Sequence, residues 1–266
     1  MDFNQVRQLE QIVVPHNSQW IYIADFNIDL TEDGLKSTDR LQDEREDLLQ
    51  LLNSGARVVI LAHNGRFKDK DTDHLDYIPK NLAEILGISK ERIKYCQKNN
   101  NALSQIFADK LKPGEAAILG NTRQHQGEEE NNPTLALQFA RHGRYVAVGG
   151  FSKAHREQAS NFGILDLRAG FATRSQLRDM KKLEPWAGKS DKYSVAILGG
   201  VKKEKIKTGL VGFSQIYDAI IPGGIVLNTL LKVKGYEIGD SIIRDGGKTF
   251  ERDAKQVLQT SSAKIL

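Results

Sequence analysis

Short apolar runs alternate with polar, glycine-containing segments through the first part of the chain. The runs lie at 20–24, 58–61, 115–119 and 144–148. Their length and continuous hydrophobicity are typical of strands buried on both faces of a parallel sheet. Helical apolar spacing lies between them, and one helix is predicted to run from a cap at Ser37 or Thr38 to about Leu52. Strand–helix alternation of this kind predicts a doubly wound sheet.

The alternation restarts in the last third of the chain, but with fewer strands. Runs at 194–198, 219–221 and 263–266 predict three strands, with a helix near 248–259 before the last of them. The segment 185–190 is a loop that predicts a domain boundary. We therefore predict an α/β fold with a doubly wound parallel-sheet N-terminal domain at 1–184. An incomplete second Rossmann-like α/β domain is predicted at 185–266.

Composition and charge narrow the class of ligand. The chain has 266 residues with a formal net charge of +4, which is modest for a nucleic-acid-binding protein. No dense basic run with interleaved aromatic residues is present, so a small anionic metabolite is favoured and nucleic acid is not expected. No run approaches the ~18–20 apolar residues of a membrane helix, and the N-terminus lacks a signal pattern. We therefore expect a cytoplasmic protein with no membrane partner.

Metal and disulfide chemistry are not expected. The single cysteine, Cys96, excludes an internal disulfide and a cysteine-based zinc cluster. His63 and His155 have no carboxylate or cysteine at ligand spacing, so we predict no metal site.

Polar side chains follow each of the four strands predicted in the first domain. They are Asp25 and Asn27, then His63 and Arg66, then Asn121, Arg123 and His125, and finally His155 and Arg156. Parallel strands present their carboxyl ends along one edge, where ligands of open α/β sheets bind. Arginine binds phosphate and carboxylate through bidentate hydrogen bonds. For any one arginine, a helix cap or a surface ion pair is the favoured explanation, but the four strand ends together favour an anion site. Asp25 would then accept from a substrate hydroxyl or from an arginine.

Seven segments, in order, resemble motifs of the phosphoglycerate kinase family, and the resemblance covers nearly the whole chain. Six of them, each followed in parentheses by the family's own motif, are 24–27 (R-V-D-F-N-V-P), 38–41 (D-T-R-I), 62–66 (S-H-L-G-R-P), 121–129 (E-N-L-R-F-H-x-G-E-E), 154–160 (A-H-R-A-H-A-S) and 196–202 (A-I-L-G-G-A-K). The seventh, 235–239, resembles the segment after the family's G-G-G turn. The resemblance implies a 3-phosphoglycerate site in the first domain and phosphoryl transfer as the chemistry.

The resemblance also implies roles for individual residues. The substrate-binding positions match Asp25, Asn27, His63, Arg66, Arg123 and Arg156. Arg40 matches the arginine that stabilises the phosphoryl group in transit, and Lys202 is the catalytic lysine expected from the nucleotide side. The nucleotide-binding positions match Gly199, Gly200, Lys205, Gly223 and Gly224.

The chain departs from the family pattern at several places. Ile23 stands where the family has an arginine in the first strand, and Gly149-Gly150-Phe151, after Val148, replaces the family's N-D-A-F. The segment 201–206 is one residue shorter than the family's A-K-V-S-D-K-I. The later motifs N-G-P-x-G-x-F-E and G-G-G-D-T are absent, so we interpret the chain as a divergent, C-terminally truncated member. ATP and Mg²⁺ are expected from the family, but the nucleotide-phosphate motifs are missing, which leaves the cofactor open.

Three functions therefore stay open. The first is a phosphotransferase with a carboxyl acceptor that uses 3-phosphoglycerate, 1,3-bisphosphoglycerate or a similar phosphorylated carboxylate. The second is a non-catalytic pseudokinase that binds such a metabolite for regulation. The third is a nucleotide-independent enzyme of specialised metabolism with a phosphoglycerate-like substrate. A second copy of the chain or a partner protein could complete the second domain, and an apolar edge at 263–266 favours such pairing.

Overall fold

The computed structural model describes residues 5–32, 34–72, 74–186, 191–202, 205–243 and 248–266. The chain divides into two compact units, Met1–Lys181 and Lys182–Leu266. The division lies close to the boundary predicted at residue 184. Residues 187–190 of the predicted boundary loop lie outside the described residues.

The first unit is built on a six-stranded parallel sheet. In chain order the strands of this unit are β1 (Gln19–Ile23), β2 (Leu30–Thr31), β3 (Gly34–Leu35), β4 (Arg57–Leu61), β5 (Ile93–Cys96), β6 (Ala116–Leu119), β7 (Tyr145–Val148) and β8 (Ala169–Ala172). All but the small antiparallel pair β2–β3 belong to the sheet, in the order β5-β6-β4-β1-β7-β8. The helices are α1 (Asp39–Asp43), α2 (Arg45–Asn53), α3 (Ile78–Leu86), α4 (Ala102–Asp109), α5 (Gln126–Glu129), α6 (Pro133–Ala140) and α7 (Arg174–Leu183).

Both faces of this sheet are buried. Alternate side chains of β1, such as Trp20 and Tyr22, pack in a core that includes apolar residues of α2 and α3. Their neighbours Ile21 and Ile23 pack on the other face in a core that includes Phe139 of α6. The predicted doubly wound sheet is thus confirmed, and it explains why the central strands read as continuous apolar runs.

The helix predicted from residue 37 or 38 to residue 52 is instead two helices, separated at Glu44. The buried Glu44 carboxylate accepts hydrogen bonds from the Tyr22 hydroxyl (2.7 Å), the Gly150 amide (3.0 Å) and the Ser175 hydroxyl (3.2 Å). These distant partners hold Glu44 at the junction, and helical periodicity alone does not reveal them.

The second unit contains a three-stranded parallel sheet, as predicted. Its strands are β9 (Val195–Leu198), β10 (Ala219–Pro222) and β11 (Lys264–Ile265), in the order β11-β10-β9. Its helices are α8 (Val211–Phe213), which follows a π-helical segment (Lys205–Leu210), α9 (Gly224–Val233) and α10 (Lys248–Thr260). Within the described ranges, no helix combines the length and the apolar composition needed to cross a bilayer.

Candidate functional site

A cavity of about 300 Å³ lies in the first unit, where the loops after β1, β4, β6 and β7 meet. Its lining includes all seven residues that the sequence assigned to the ligand of the first domain. They are Asp25, Asn27, Arg40, His63, Arg66, Arg123 and Arg156. The predicted convergence of strand ends is therefore present, while the role of each residue stays a prediction.

Arg123 contributes buried donors to this cavity. Asn121 orients the start of the turn by accepting from the Arg123 amide (3.0 Å), and Arg123 Nη1 donates to the Gly65 carbonyl (2.6 Å). Nε lies 3.8 Å from the Glu129 carboxylate, but neither Nε nor Nη2 has a hydrogen-bond partner among the described residues. Arg156 Nε is also buried and unpartnered in this part of the chain. Because unpaired buried donors are costly, these groups favour an anion that accepts from them.

Asp25 organises the opposite wall. Its carboxylate pairs with Arg40, accepts from the Ser152 hydroxyl, and accepts from the Asn27 amide at 3.1 Å. Burial alone would raise the pKa of Asp25, but the Ser152 hydrogen bond and the positive charge of Arg40 help to lower it below its ordinary value. Asp25 is therefore ionised at neutral pH and holds Arg40, whose side chain is 42% exposed, at the cavity wall.

His63 is neutral at pH 7. Burial, followed by the positive charges of Lys153 and Arg123, holds its pKa well below the ordinary value of 6.5. A neutral imidazole offers one N–H donor and one acceptor nitrogen. His63 therefore adds hydrogen-bonding capacity to the cavity without adding charge.

The loop after β4 folds back toward the cavity. The Arg66 amide donates to Asp71 (2.5 Å), and the Arg66 guanidinium lies 4.0 Å from the Asp69 carboxylate. Gly65 has φ +73°, and a Cβ there would lie 2.2 Å from the Asp71 carbonyl oxygen, so this close turn requires glycine. Asp69 and Asp71 also line the cavity. The motifs in the sequence did not indicate this fold-back, because it depends on contacts several residues apart.

Seven lining residues were not assigned to the site from the sequence, namely Asp29, Asn64, Gly65, Asp69, Asp71, Ser152 and Lys153. Three strand-end residues that the sequence singled out are not part of the lining, namely Asn121, His125 and His155. Ser152 and Lys153 follow β7 and line the cavity. Ser152 is exposed, whereas Lys153 is buried, which is unusual for a lysine in a loop. His125 instead hydrogen-bonds through Nε2 to Asn99 Oδ1 (2.6 Å), and His155 is exposed. Neither histidine belongs to the cavity lining.

In the second unit, the predicted glycines meet at the ends of β9 and β10. A Cβ at Gly199 would lie 3.4 Å from the backbone of Gly223, and one at Gly224 would lie 2.5 Å from the Gly200 carbonyl oxygen. Gly200 and Gly224 also have positive φ, +105° and +51°. This backbone turn therefore requires glycine whether or not a nucleotide binds there.

The lysines predicted on the nucleotide side have a different environment. Lys202 and Lys205 are exposed, and residues 203 and 204 between them lie outside the described residues. Their predicted roles rest on the resemblance alone. In the described part of the chain, no three His, Cys, Asp or Glu side chains are grouped so as to hold a metal ion.

The chain matches a family model and many curated relatives. The model described as phosphoglycerate kinase matches residues 15–266. The phosphoglycerate kinase of Brucella melitensis is 29% identical over 245 residues, which cover 91% of this chain and 61% of that protein. The phosphoglycerate kinase of Roseiflexus is 32% identical over 236 residues, covering 86% of this chain and 58% of that protein. This chain thus spans about three fifths of the length of these relatives.

Solved structures agree on the fold. The phosphoglycerate kinase of Pyrococcus horikoshii superposes with a TM-score of 0.78 at 24% identity, covering 98% of this chain and 66% of that one. The phosphoglycerate kinase of Coxiella burnetii gives a TM-score of 0.75 at 24% identity, with 97% and 65% covered. On the strength of the family model and the curated relatives, the chain belongs to the phosphoglycerate kinase family.

Proposed function

We propose that the first unit binds 3-phosphoglycerate, 1,3-bisphosphoglycerate or a similar phosphorylated carboxylate in the cavity described above. The observation that carries the proposal is the convergence of four arginines on one cavity with buried N–H groups left unpartnered. The four are Arg40, Arg66, Arg123 and Arg156. A phosphate or carboxylate oxygen can accept from several of these donors at once, which neither water nor a neutral ligand does as strongly.

The polar groups at the Asp25 side of the cavity support a ligand with a hydroxyl group. Asp25 is an ionised acceptor, and neutral His63 both donates and accepts. Asn27 Oδ1 is already engaged by the Gly65 amide at 3.0 Å, which ties the loops after β1 and β4 together. A phosphorylated hydroxy acid would use the arginines for its anionic groups and Asp25 or His63 for its hydroxyl group.

Acyl-phosphate transfer is the chemistry that we infer for this ligand. Arg40 is exposed enough to meet a second reactant and lies on the wall that holds Asp25. A guanidinium in this position would stabilise the charge on a phosphoryl group during in-line transfer, which is the main contribution that proteins make to such reactions. Lys202 would add a positive charge from the second domain, as the resemblance implies.

Nucleotide use is the less supported part of the proposal. Gly199 and Gly223 leave their backbone uncovered by side chains, which fits close approach of a flat group such as a nucleotide base. Gly200, Gly224 and Lys205 complete the predicted set. Gly200 and Gly224 are required by the turn itself because both have positive φ, so ATP with Mg²⁺ stays an expectation from the family.

Calorimetry with three small molecules tests the ligand class. We expect 3-phosphoglycerate to bind more tightly than glycerol 3-phosphate, which lacks the carboxylate, and than D-glycerate, which lacks the phosphate. Loss of either anionic group should weaken binding about tenfold or more, because charge-assisted hydrogen bonds are removed. Equal affinities for all three, or no binding of 3-phosphoglycerate, would contradict the proposal.

Two measurements then separate the kinase from the non-catalytic and nucleotide-independent alternatives. MgATP binding together with phosphate transfer from 1,3-bisphosphoglycerate to ADP supports the kinase, and transfer should fail in Arg40→Ala. Phosphoglycerate binding without nucleotide binding supports a metabolite-binding or nucleotide-independent protein. The observation that favours a metabolite-binding or nucleotide-independent protein is the exposure of Lys202 and Lys205.

A partner for the second unit is also proposed. One face of its sheet exposes Val195 (40%), Ile197 (82%) and Ile221 (41%), whereas alternate residues such as Ala196 and Leu198 are buried on the other face. An exposed apolar sheet face favours coverage by a second copy of the chain or by a partner protein. Analytical ultracentrifugation of wild type and Ile197→Lys tests self-association: a monomer at all concentrations argues against the second copy.

A further inference from the structure

Lys153 is a buried lysine that the sequence did not single out. It ends the 3₁₀ turn Phe151–Lys153 after β7, is only 3% exposed, and lines the cavity. Gly150 directs this turn: its φ is +66°, and a Cβ there would lie 2.9 Å from Asp25 Cβ and 3.2 Å from Lys153 Cε. The lysine side chain therefore runs alongside Gly150, close to the Asp25 wall of the cavity.

The hydrogen bonds of the ammonium group are incomplete. A lysine ammonium has three N–H donors. One donates to the Ala24 carbonyl oxygen at 2.8 Å. No other hydrogen bond of Nζ, and no carboxylate oxygen within 4.0 Å of it, is found among the described residues. Two donors of a buried cation are thus left over at the wall of a cavity that already contains arginines.

The surroundings of Lys153 keep it charged at neutral pH. The titratable and charged groups that face it, from all the packed segments, are Asp25, Glu44 and Glu128 among the acids and His63 and Arg123 among the bases. Burial lowers the pKa of Lys153 to about 8, while Asp25, Glu128 and Glu44 act in the opposite direction. The ammonium is therefore mostly protonated at pH 7 and loses its proton just above the physiological range.

A purely structural role explains only part of this arrangement. The bond to Ala24 anchors the turn after β7 to the end of β1, and a neutral donor would do the same. A buried charge is costly unless it is paired or hydrogen-bonded. Two unused N–H groups facing a cavity are better explained by a partner that arrives with the ligand.

We propose that Lys153 is a ligand-binding residue, whose ammonium donates to an anionic oxygen of the phosphorylated carboxylate near Asp25 and Arg123. The inference rests on the proposed function and adds a specificity element to it. A ligand with an ionised group at this end of the cavity is bound by Lys153, whereas a ligand with a neutral group there leaves the ammonium without its partner.

Binding should then be linked to protonation. Because the ligand prefers charged Lys153, affinity is highest below the pKa of about 8 in the free protein and falls as the pH rises above it. Ligand binding near pH 8.5 should take up a fraction of one proton per site. The ligand's phosphate does not titrate there, since its second pKa is about 6.

Calorimetry on the intact chain tests the proposal, with wild type, Lys153→Met and the control Lys94→Met. Methionine matches the length and volume of the lysine stem without its charge. Lys94 is a half-buried lysine that pairs with Glu115 at 2.5 Å, outside the cavity lining. Each protein is titrated with 3-phosphoglycerate and with inorganic phosphate at about pH 7, pH 8.5 and pH 9.5, in two buffers of different ionisation heat.

We expect Lys153→Met to bind 3-phosphoglycerate about tenfold or more weakly at pH 7, and with no proton uptake at pH 8.5. Wild type and Lys94→Met should bind equally and lose affinity at high pH. Circular dichroism establishes that each variant is folded, and Lys153→Arg, which keeps the charge, covers the case in which the methionine variant does not fold. Lys153→Arg should retain more affinity for 3-phosphoglycerate than Lys153→Gln, which removes the charge.

The outcomes separate this inference from the proposed function. Wild-type binding that is matched within twofold by Lys153→Met, with the same pH profile, overturns the role of Lys153 and leaves the ligand class standing. Binding of phosphate but not of 3-phosphoglycerate contradicts the ligand class, and the phosphate titrations then decide the role of Lys153. Binding of neither molecule overturns both.

Discussion

The two units each bring together residues that the sequence selected, but the chemistry that results differs. In the first unit, charged side chains surround a cavity, and two arginines, Arg123 and Arg156, have buried N–H groups without a hydrogen-bond partner among the described residues. In the second unit, glycines meet backbone to backbone, while Lys202 and Lys205 are exposed. Unpartnered buried donors at a cavity favour an anionic ligand, because an unpaired buried donor is costly in the free protein. A glycine turn is explained by its own backbone.

A bound ligand is therefore better supported in the first unit than in the second. The first unit contains donors, acceptors and fixed charges arranged before any ligand arrives, which lowers the cost of binding. The second unit contains motif residues whose positions are compatible with a nucleotide but do not require one. Variants in each region test this difference.

Arg123→Met should give the largest effect. It removes the buried guanidinium, and with it the bond to the Gly65 carbonyl and the unpartnered donors. We expect 3-phosphoglycerate affinity to fall about 100-fold, or ~3 kcal/mol, as measured by calorimetry. Any MgATP binding should be unchanged. If Arg123→Met is folded by circular dichroism and binds like wild type, the first unit loses its claim to the ligand.

Glu44→Gln should change the pH dependence of stability. Burial raises the pKa of Glu44 to about 7 from an ordinary 4.5, so its protonated form stabilises the fold below pH 4.5 and this contribution is lost as the pH rises through 7. The unfolding free energy of wild type relative to Glu44→Gln should fall by ~3 kcal/mol between pH 4.5 and pH 8. Urea denaturation at several pH values measures the unfolding free energies of both proteins. A difference between them that does not change with pH would contradict the raised pKa of Glu44.

Arg66→Ala and Arg57→Ala form a matched pair at opposite ends of one segment. Arg66 follows the carboxyl end of β4 and lines the cavity, whereas Arg57 begins the strand and donates to the Asp109 carbonyl at 3.2 Å. We expect about tenfold weaker phosphoglycerate binding for Arg66→Ala and less than a twofold change for Arg57→Ala. Equal losses in the two variants would mean that net charge, and not the cavity, attracts the ligand.

Gly224→Ala should affect only the second unit. A Cβ at this position meets the Gly200 carbonyl oxygen at 2.5 Å, and φ is +51°. The left-handed conformation alone costs about 1–2 kcal/mol for a residue with a Cβ, so amide exchange in β10 should accelerate while phosphoglycerate affinity stays constant. Gly212→Ala is the control, since nothing lies within 4 Å of its added Cβ. Slower exchange in Gly224→Ala than in this control would contradict the strain.

The strand framework and the cavity lining were largely predictable from the sequence. Apolar runs such as 58–61 indicated buried parallel strands. The polar residues that follow these runs lie at one edge of the sheet, because parallel strands have their carboxyl ends at the same edge. The seven first-domain residues assigned to the ligand line the cavity, whereas Asn121, His125 and His155 do not. Sequence position places a residue after a strand end, but it does not give the contacts of the side chain, such as the one between His125 and Asn99.

The features that escaped prediction depend on long-range contacts. Glu44 divides one expected helix because its partners come from β1, from the loop after β7 and from α7. Lys153 looks like an ordinary loop lysine until the turn at Gly150 buries it. Asp71 reaches the Arg66 amide only because Gly65 allows the loop to fold back. No local pattern in the sequence carries this information.

The most direct test of the contrast between the units is an NMR titration of the ¹⁵N-labelled chain with 3-phosphoglycerate. We predict saturable shifts of the amide signals of Gly65, Arg66, Arg123 and Lys153, which lie in or beside the cavity lining. The amide signals of Gly199, Gly223 and Gly224 should stay unchanged. Shifts confined to these second-unit glycines, or no saturable shift in the first unit, would contradict the assignment of the ligand to the first unit.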